Sequence, residues 1–154
     1  MTTSRTAETA AAATVDFTAF VQLHQIAYEE YAQARLVDQA LSRRAVAAAL
    51  RSAELTWTLL LSGPSATARA WLILRETVTS ARGQVILPNI DFLHLSLPAG
   101  AADAALLYGR LGYQVGEAAQ LMGLPEPDLH VGLMIARRAL VARQQTREGS
   151  LSHR

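Results

Sequence analysis

The 154-residue chain contains no cysteine and no lysine. Without cysteine there are no disulfides, no thiolate metal sites and no cysteine nucleophile, and a reducing cytoplasm is the expected location. Aromatic residues are scarce, at 6%, and no run reaches the roughly 18 consecutive apolar residues that a membrane helix needs. The sequence therefore predicts no membrane partner. All fourteen basic side chains are arginine against thirteen acids, a net charge of +1. A duplex-binding domain takes much of its affinity from phosphate neutralisation, so any basic excess here has to be local. His24, His94, His130 and His153 lack metal-ligand spacing, Gly63 and Gly83 stand outside any phosphate-loop pattern, and no nucleophile elbow is present. These absences predict a non-enzyme with no catalytic residue, metal or cofactor.

What is present is apolar material at helical spacing. Hydrophobic residues make up 51% of the chain, enough to bury a core. Residues 1–14, rich in Thr and Ala, read as a disordered tail. Phe17, Phe20, Val21, His24, Ala27, Tyr28 and Tyr31 then fall on one stripe of a first helix. Asp38 caps a second, which carries Leu41, Ala45, Ala49, Ala53, Trp57 and Leu60 as far as Ser62-Gly63-Pro64. Ser65 caps a third, with Trp71, Leu72, Leu74 and Val78, that stops at Gly83. The fold class predicted is all-α, with a three-helix domain over 15–83 and a second small helical domain over 99–143.

Residues 84–98 read as a linker with unusual apolar content, from Val85 to Leu97. Polar flexible linkers lack such side chains, so this one is expected to lie in a groove, or to form a short strand or a staple onto the next helix. A helix over about 101–111 ends at Gly112, a short one over about 116–122 ends at Gly123, and a longer one follows Pro125 and Pro127. The last two form a helix-turn-helix pattern, which Ala-rich bundles also show. Residues 144–154 read as a flexible tail.

Over about 16–142 these residues resemble the extracytoplasmic-function sigma factors, small two-domain promoter-recognition subunits of bacterial RNA polymerase, and the Arg-only, Ala-rich composition resembles an actinobacterial member. The matching stretches are Asp16-Phe17 with Phe20, the run Tyr31 to Leu36 followed by Asp38, and Arg69-Ala70-Trp71-Leu72 leading to Arg75 and Arg82. In the second domain they are Leu97-Pro98, Gly112, Glu117-Ala118-Ala119, Leu121-Met122-Gly123-Leu124 and Ala136 to Leu140. All occur in the family's order and spacing.

The resemblance implies three surfaces, each altered here. The polymerase-docking helix, usually acidic with a Gln-Glu pair, holds Arg43, Arg44, Ala47, Ala48 and Leu50. Like-charge juxtaposition costs several kcal/mol, so polymerase core binding is expected to be weak or conditional; the two arginines also read as a solvated helix face. The surface implied for the minus-ten element keeps Arg69, Trp71, Arg75 and Arg82, although Trp71 at helical spacing with Leu74 and Val78 reads more readily as core than as a base platform. The recognition helix holds His130, Val131, Gly132, Met134 and Ile135 before Arg137 and Arg138, so apolar residues stand where the family presents polar contacts. Between Leu95 and Gln145 four Arg balance four acids. With about 1–3 kcal/mol lost per base contact, promoter binding is expected to be weak or conditional.

Leu129, Leu133 and Ala136 suffice for the core edge of that helix, which leaves Val131, Met134 and Ile135 surplus. Such a patch marks an interface, covered by the linker around Ile90 to Leu95 or by a second protein chain. The functional expectation is a sigma-factor-like transcription regulatory protein acting through a protein partner: itself, an anti-sigma protein or another regulator. The alternative is a divergent sigma factor that still directs polymerase to promoters.

Overall fold

The computed structural model describes residues 2–87 and 91–152, and every regular element among them is helical. The chain divides into two compact units, Met1–Pro88 with Leu121–Gly123, and Asn89–Gln120 with Leu124–Arg154. No helix among the described residues is long and apolar enough to cross a membrane.

The first unit contains α1 (Thr2–Leu36), α2 (Gln39–Leu55), the single turn α3 (Trp57–Leu61) and α4 (Ala66–Gln84). The amino-terminal stretch read as a disordered tail is helical from Thr2. It contains no Gly or Pro and is rich in Ala, the strongest helix former, so nothing halts the helix that Phe17 to Tyr31 anchor. The Asp38 carboxylate accepts from the Leu41 amide at 2.8 Å, and the Ser65 hydroxyl from the Ala68 amide at 3.1 Å, capping α2 and α4. The second helix, predicted as continuous to Leu60, breaks at Thr56, whose hydroxyl donates back to the Ser52 carbonyl at 2.9 Å. The departure is in the Thr56 backbone itself, at φ −112° and ψ 13°.

The core lies where Tyr28, Tyr31 and Leu36 of α1 meet Trp71, Leu74 and Val78 of α4, all at most 1% exposed. Trp71 packs against the Tyr31 and Tyr28 rings with centroids 4.7 and 5.7 Å apart. α2 contributes Ala45, Val46, Ala49 and Ala53, small enough for close helix approach. Arg35 is buried among these residues, donating from Nη1 to the Tyr31 hydroxyl at 3.2 Å and the Thr79 hydroxyl at 3.0 Å.

The second unit contains α5 (Phe92–Ser96), α6 (Ala99–Ala105), a π-helical segment (Leu106–Arg110) and α8 (Glu126–Leu151), while α7 (Val115–Met122) precedes α8. Part of the predicted linker is thus helical: α5 packs on a core of Leu97, Ala101, Ala102 and Ala136 through Leu93. Ile86 is fully exposed, and Ile90 lies outside the described residues. Gly112 and Gly123 adopt φ of +78° and +67°, the left-handed conformation that glycine enters without steric cost. Pro127 sits in the first turn of α8, where a missing N–H costs nothing. The stretch read as a carboxy-terminal tail continues α8 to Leu151, since it is rich in Arg and Gln and has no proline.

Candidate functional site

α8 is the element on which the chemistry concentrates, and it is apolar on two edges. Residues three and four apart share a helix face, which sets Leu129, Gly132 and Ala136 on one edge and Val131, Met134, Ile135, Arg138, Val141 and Ala142 on the other. The first edge packs against α6. Leu129 and Ala136 are buried, and a Cβ added at Gly132 would sit 3.4 Å from the Ala104 Cβ and 3.6 Å from the Ala101 Cα. Gly132 thus faces α6 at ordinary van der Waals distance, on the packed edge of the helix.

The second edge faces outward. Val131, Met134 and Ile135 are 55%, 54% and 42% exposed, and Val141 is exposed beside them. Burial of these three against the linker, one of the two sequence expectations, is therefore overturned: Leu95 is itself exposed, and Ile90 lies outside the described residues. The physical reason is that the small Ala and Gly residues on the opposite edge draw that edge, and not this one, onto α6. Arg137 and Arg138 are exposed on α8 as well, and from Leu129 to Arg147 the helix carries four Arg and no acid. One of them is engaged, the Arg143 guanidinium lying over the Phe92 ring at 3.7 Å. His130 is exposed near the start of the helix.

A groove of about 690 Å³ lies between the π-helical segment and α8, lined by Leu93, Tyr108, Gly109, Leu133, Leu140 and Arg137 among others. The π register is set by the Leu111 amide donating to the Leu106 carbonyl at 2.9 Å, and it carries Tyr108, Gly109 and Arg110 onto this wall.

The positions singled out in the first unit divide. Trp71 is 1% exposed, so its reading as a base-stacking surface is corrected: ring packing against Tyr28 and Tyr31 removes its faces from any ligand. Arg82 is likewise structural. Its Nη1 donates to the Arg35 carbonyl at 2.6 Å, satisfying the carboxy-terminal end of α1. Arg69 is exposed on α4 and Arg75 is half-buried. On α2, Arg43, Arg44, Ala47 and Ala48 are exposed and Leu50 is half-buried. Arg44 and Ala48 border a shallow groove shared with Glu76, Thr77 and Ser80 of α4.

A polar cluster in the second unit went unnoticed in the sequence. His94 Nε2 lies 2.6 Å from Asp103 Oδ1 and its Nδ1 lies 3.0 Å from Asp91 Oδ1. Only the i,i+3 spacing of Asp91 and His94 hinted at it. Among the described residues no group of three or more such side chains is arranged to hold a metal ion. In comparison with known proteins, the chain matches no family model, no curated protein and no solved structure.

Proposed function

We propose that the chain is a sigma-factor-like transcription regulatory protein with degenerate polymerase-docking and promoter-reading surfaces, acting by protein contact through the outer edge of α8. The observation that carries this reading is the outward orientation of Val131, Met134 and Ile135 on the helix where the family presents polar reading side chains. Exposed apolar side chains clustered on one helix face favour a protein partner, each contributing about 1.5–3 kcal/mol when fully buried. Trp71 and Arg82, spent on the core and on helix capping, leave fewer groups to read a minus-ten element.

The test is co-purification of the tagged full-length protein from its native cell, in parallel with a Val131→Lys, Ile135→Lys double variant. A partner recovered with the parent and lost with the variant, at unchanged melting temperature, is the expected outcome. Stoichiometric recovery of core polymerase with both proteins overturns the reading.

One observation favours the alternative of a functional divergent sigma factor: the run from Leu129 to Arg147 carries arginine without any acid. On that reading fluorescence anisotropy gives submicromolar, sequence-dependent binding to promoter duplex. On the favoured reading promoter-like duplex binds no better than random duplex.

A further inference from the structure

We propose that the groove between the π-helical segment and α8 binds a small anionic amphiphile, an apolar chain or ring system ending in a carboxylate, sulfate or phosphate. The site goes beyond the protein-contact reading, although it shares Met134 and Val141 with the outer edge of α8.

Its volume of about 690 Å³ falls within the range of small-molecule sites. The walls are apolar, from Leu93, Leu133, Leu140 and Val141, and match the body of such a ligand. The two charged side chains around them, Arg110 and Arg137, are both cationic. Arg110, His130 and Arg137 border the groove, and none of its lining residues is acidic. An apolar trough bordered by guanidinium groups selects an anionic head, because arginine offers paired donors to planar oxyanions and keeps its charge at every physiological pH. A cationic head would meet two guanidinium groups and no carboxylate.

Gly109 gives the site a point of control. It lines the groove, and a Cβ added there meets nothing within 4 Å. The backbone at Gly109 is outside the left-handed region. A leucine can therefore be introduced at this groove-lining position without a clash at its Cβ. Met134 and Val141 belong to both the groove and the outer edge of α8, whereas Val131, Ile135 and Arg138 are not among the lining residues, so substitutions at Val131 and Ile135 test the outer edge with the groove lining intact.

The experiment is calorimetric titration of the full chain with sodium decanoate and with decyltrimethylammonium, both below their micellar concentrations. Decanoate is expected to saturate at one molecule per chain and to bind at least about tenfold more tightly than the cationic probe. Gly109→Leu should abolish decanoate binding with an unchanged circular dichroism spectrum and melting temperature. Arg137→Ala, at an exposed position, should weaken binding about tenfold and provides the readout if the leucine variant does not fold. Val131→Lys, Ile135→Lys should bind decanoate as the parent does, whatever becomes of its protein partner. Non-saturating uptake, equal affinity for the two probes, or decanoate binding unaffected by both Gly109→Leu and Arg137→Ala would overturn the proposal.

Discussion

His94 and Asp103 are joined by a 2.6 Å contact between Nε2 and Oδ1, and the carboxylate concerned is fully buried. The other ring nitrogen meets Asp91 at 3.0 Å. A neutral imidazole has only one N–H, so two carboxylate contacts require either a doubly protonated ring or a proton on one carboxyl. The cluster fastens α5, which lacks buried residues of its own, onto α6.

Removing one member of a buried pair leaves the other uncompensated, at about 3–5 kcal/mol. His94→Ala is therefore expected to lower the unfolding free energy by that order in urea denaturation, with the loss confined to the second unit. Replacing His94 and Asp103 together by apolar residues should cost less than His94→Ala alone. A loss below about 1 kcal/mol for the single variant would show that the contact contributes no more than an exposed ion pair.

Tyr28 is the converse case, a buried polar atom without compensation. Its hydroxyl has no hydrogen-bond partner among the described residues, and burial pushes its ionisation well above the ordinary phenol range. Tyr28→Phe keeps the ring packed on Trp71 and Phe20 and removes the orphaned group, so stability should hold or rise by about 1 kcal/mol. The pH consequence has a definite sign. With the folded value above the unfolded one near 10, the parent keeps its full stability below about pH 10 and loses it as pH rises further. The phenylalanine variant should lose less. Parallel alkaline melts of the two proteins would check this, and identical declines would show that another group controls alkaline unfolding.

The first unit was legible where one local signal dominates. Phe20, Ala27, Tyr28 and Tyr31 form the predicted stripe, and Asp38 and Ser65 cap the helices they were expected to cap. The break at Thr56 was not legible, because no glycine or proline marks it, and the same threonine back-bond to the i−4 carbonyl occurs at Thr18 and Thr77 inside unbroken helices. On α8 the surplus of apolar residues could be counted from the sequence, but which edge packs on α6 could not. Burial of Leu129 and Ala136 marks that edge, and it depends on the surface that Ala101 and Ala104 present in another helix. The His94 cluster was hidden for a similar reason: Asp103 reaches the ring only after the chain turns at Pro98 between α5 and α6.

Val37, between α1 and α2, adopts φ of +64°, a conformation costly for a β-branched residue. Its amide donates to the Gln33 carbonyl at 2.8 Å, closing the end of α1 as a glycine ordinarily would. Val37→Gly relieves the strain, at the expense of greater unfolded-chain freedom and of the valine's partial burial. The expected result is a net gain of about 1 kcal/mol, read as a higher denaturation midpoint at unchanged slope. A destabilised glycine variant would mean that the valine's packing outweighs its backbone strain.

The two positions that share one predicted surface on α4, Arg69 and Trp71, should separate completely under mutation. Trp71 is 1% exposed and touches both tyrosine rings, so Trp71→Ala opens a cavity at the centre of the first unit. Deletions of this size cost about 3–5 kcal/mol, a large share of a small unit's stability. Arg69 is exposed, and Arg69→Ala should change stability by no more than about 0.5 kcal/mol. Thermal unfolding followed by far-ultraviolet circular dichroism distinguishes the outcomes. If Trp71→Ala melted like the parent while single-stranded DNA binding fell, the indole would be a base platform after all, and its packing between Tyr28 and Tyr31 would not persist in solution.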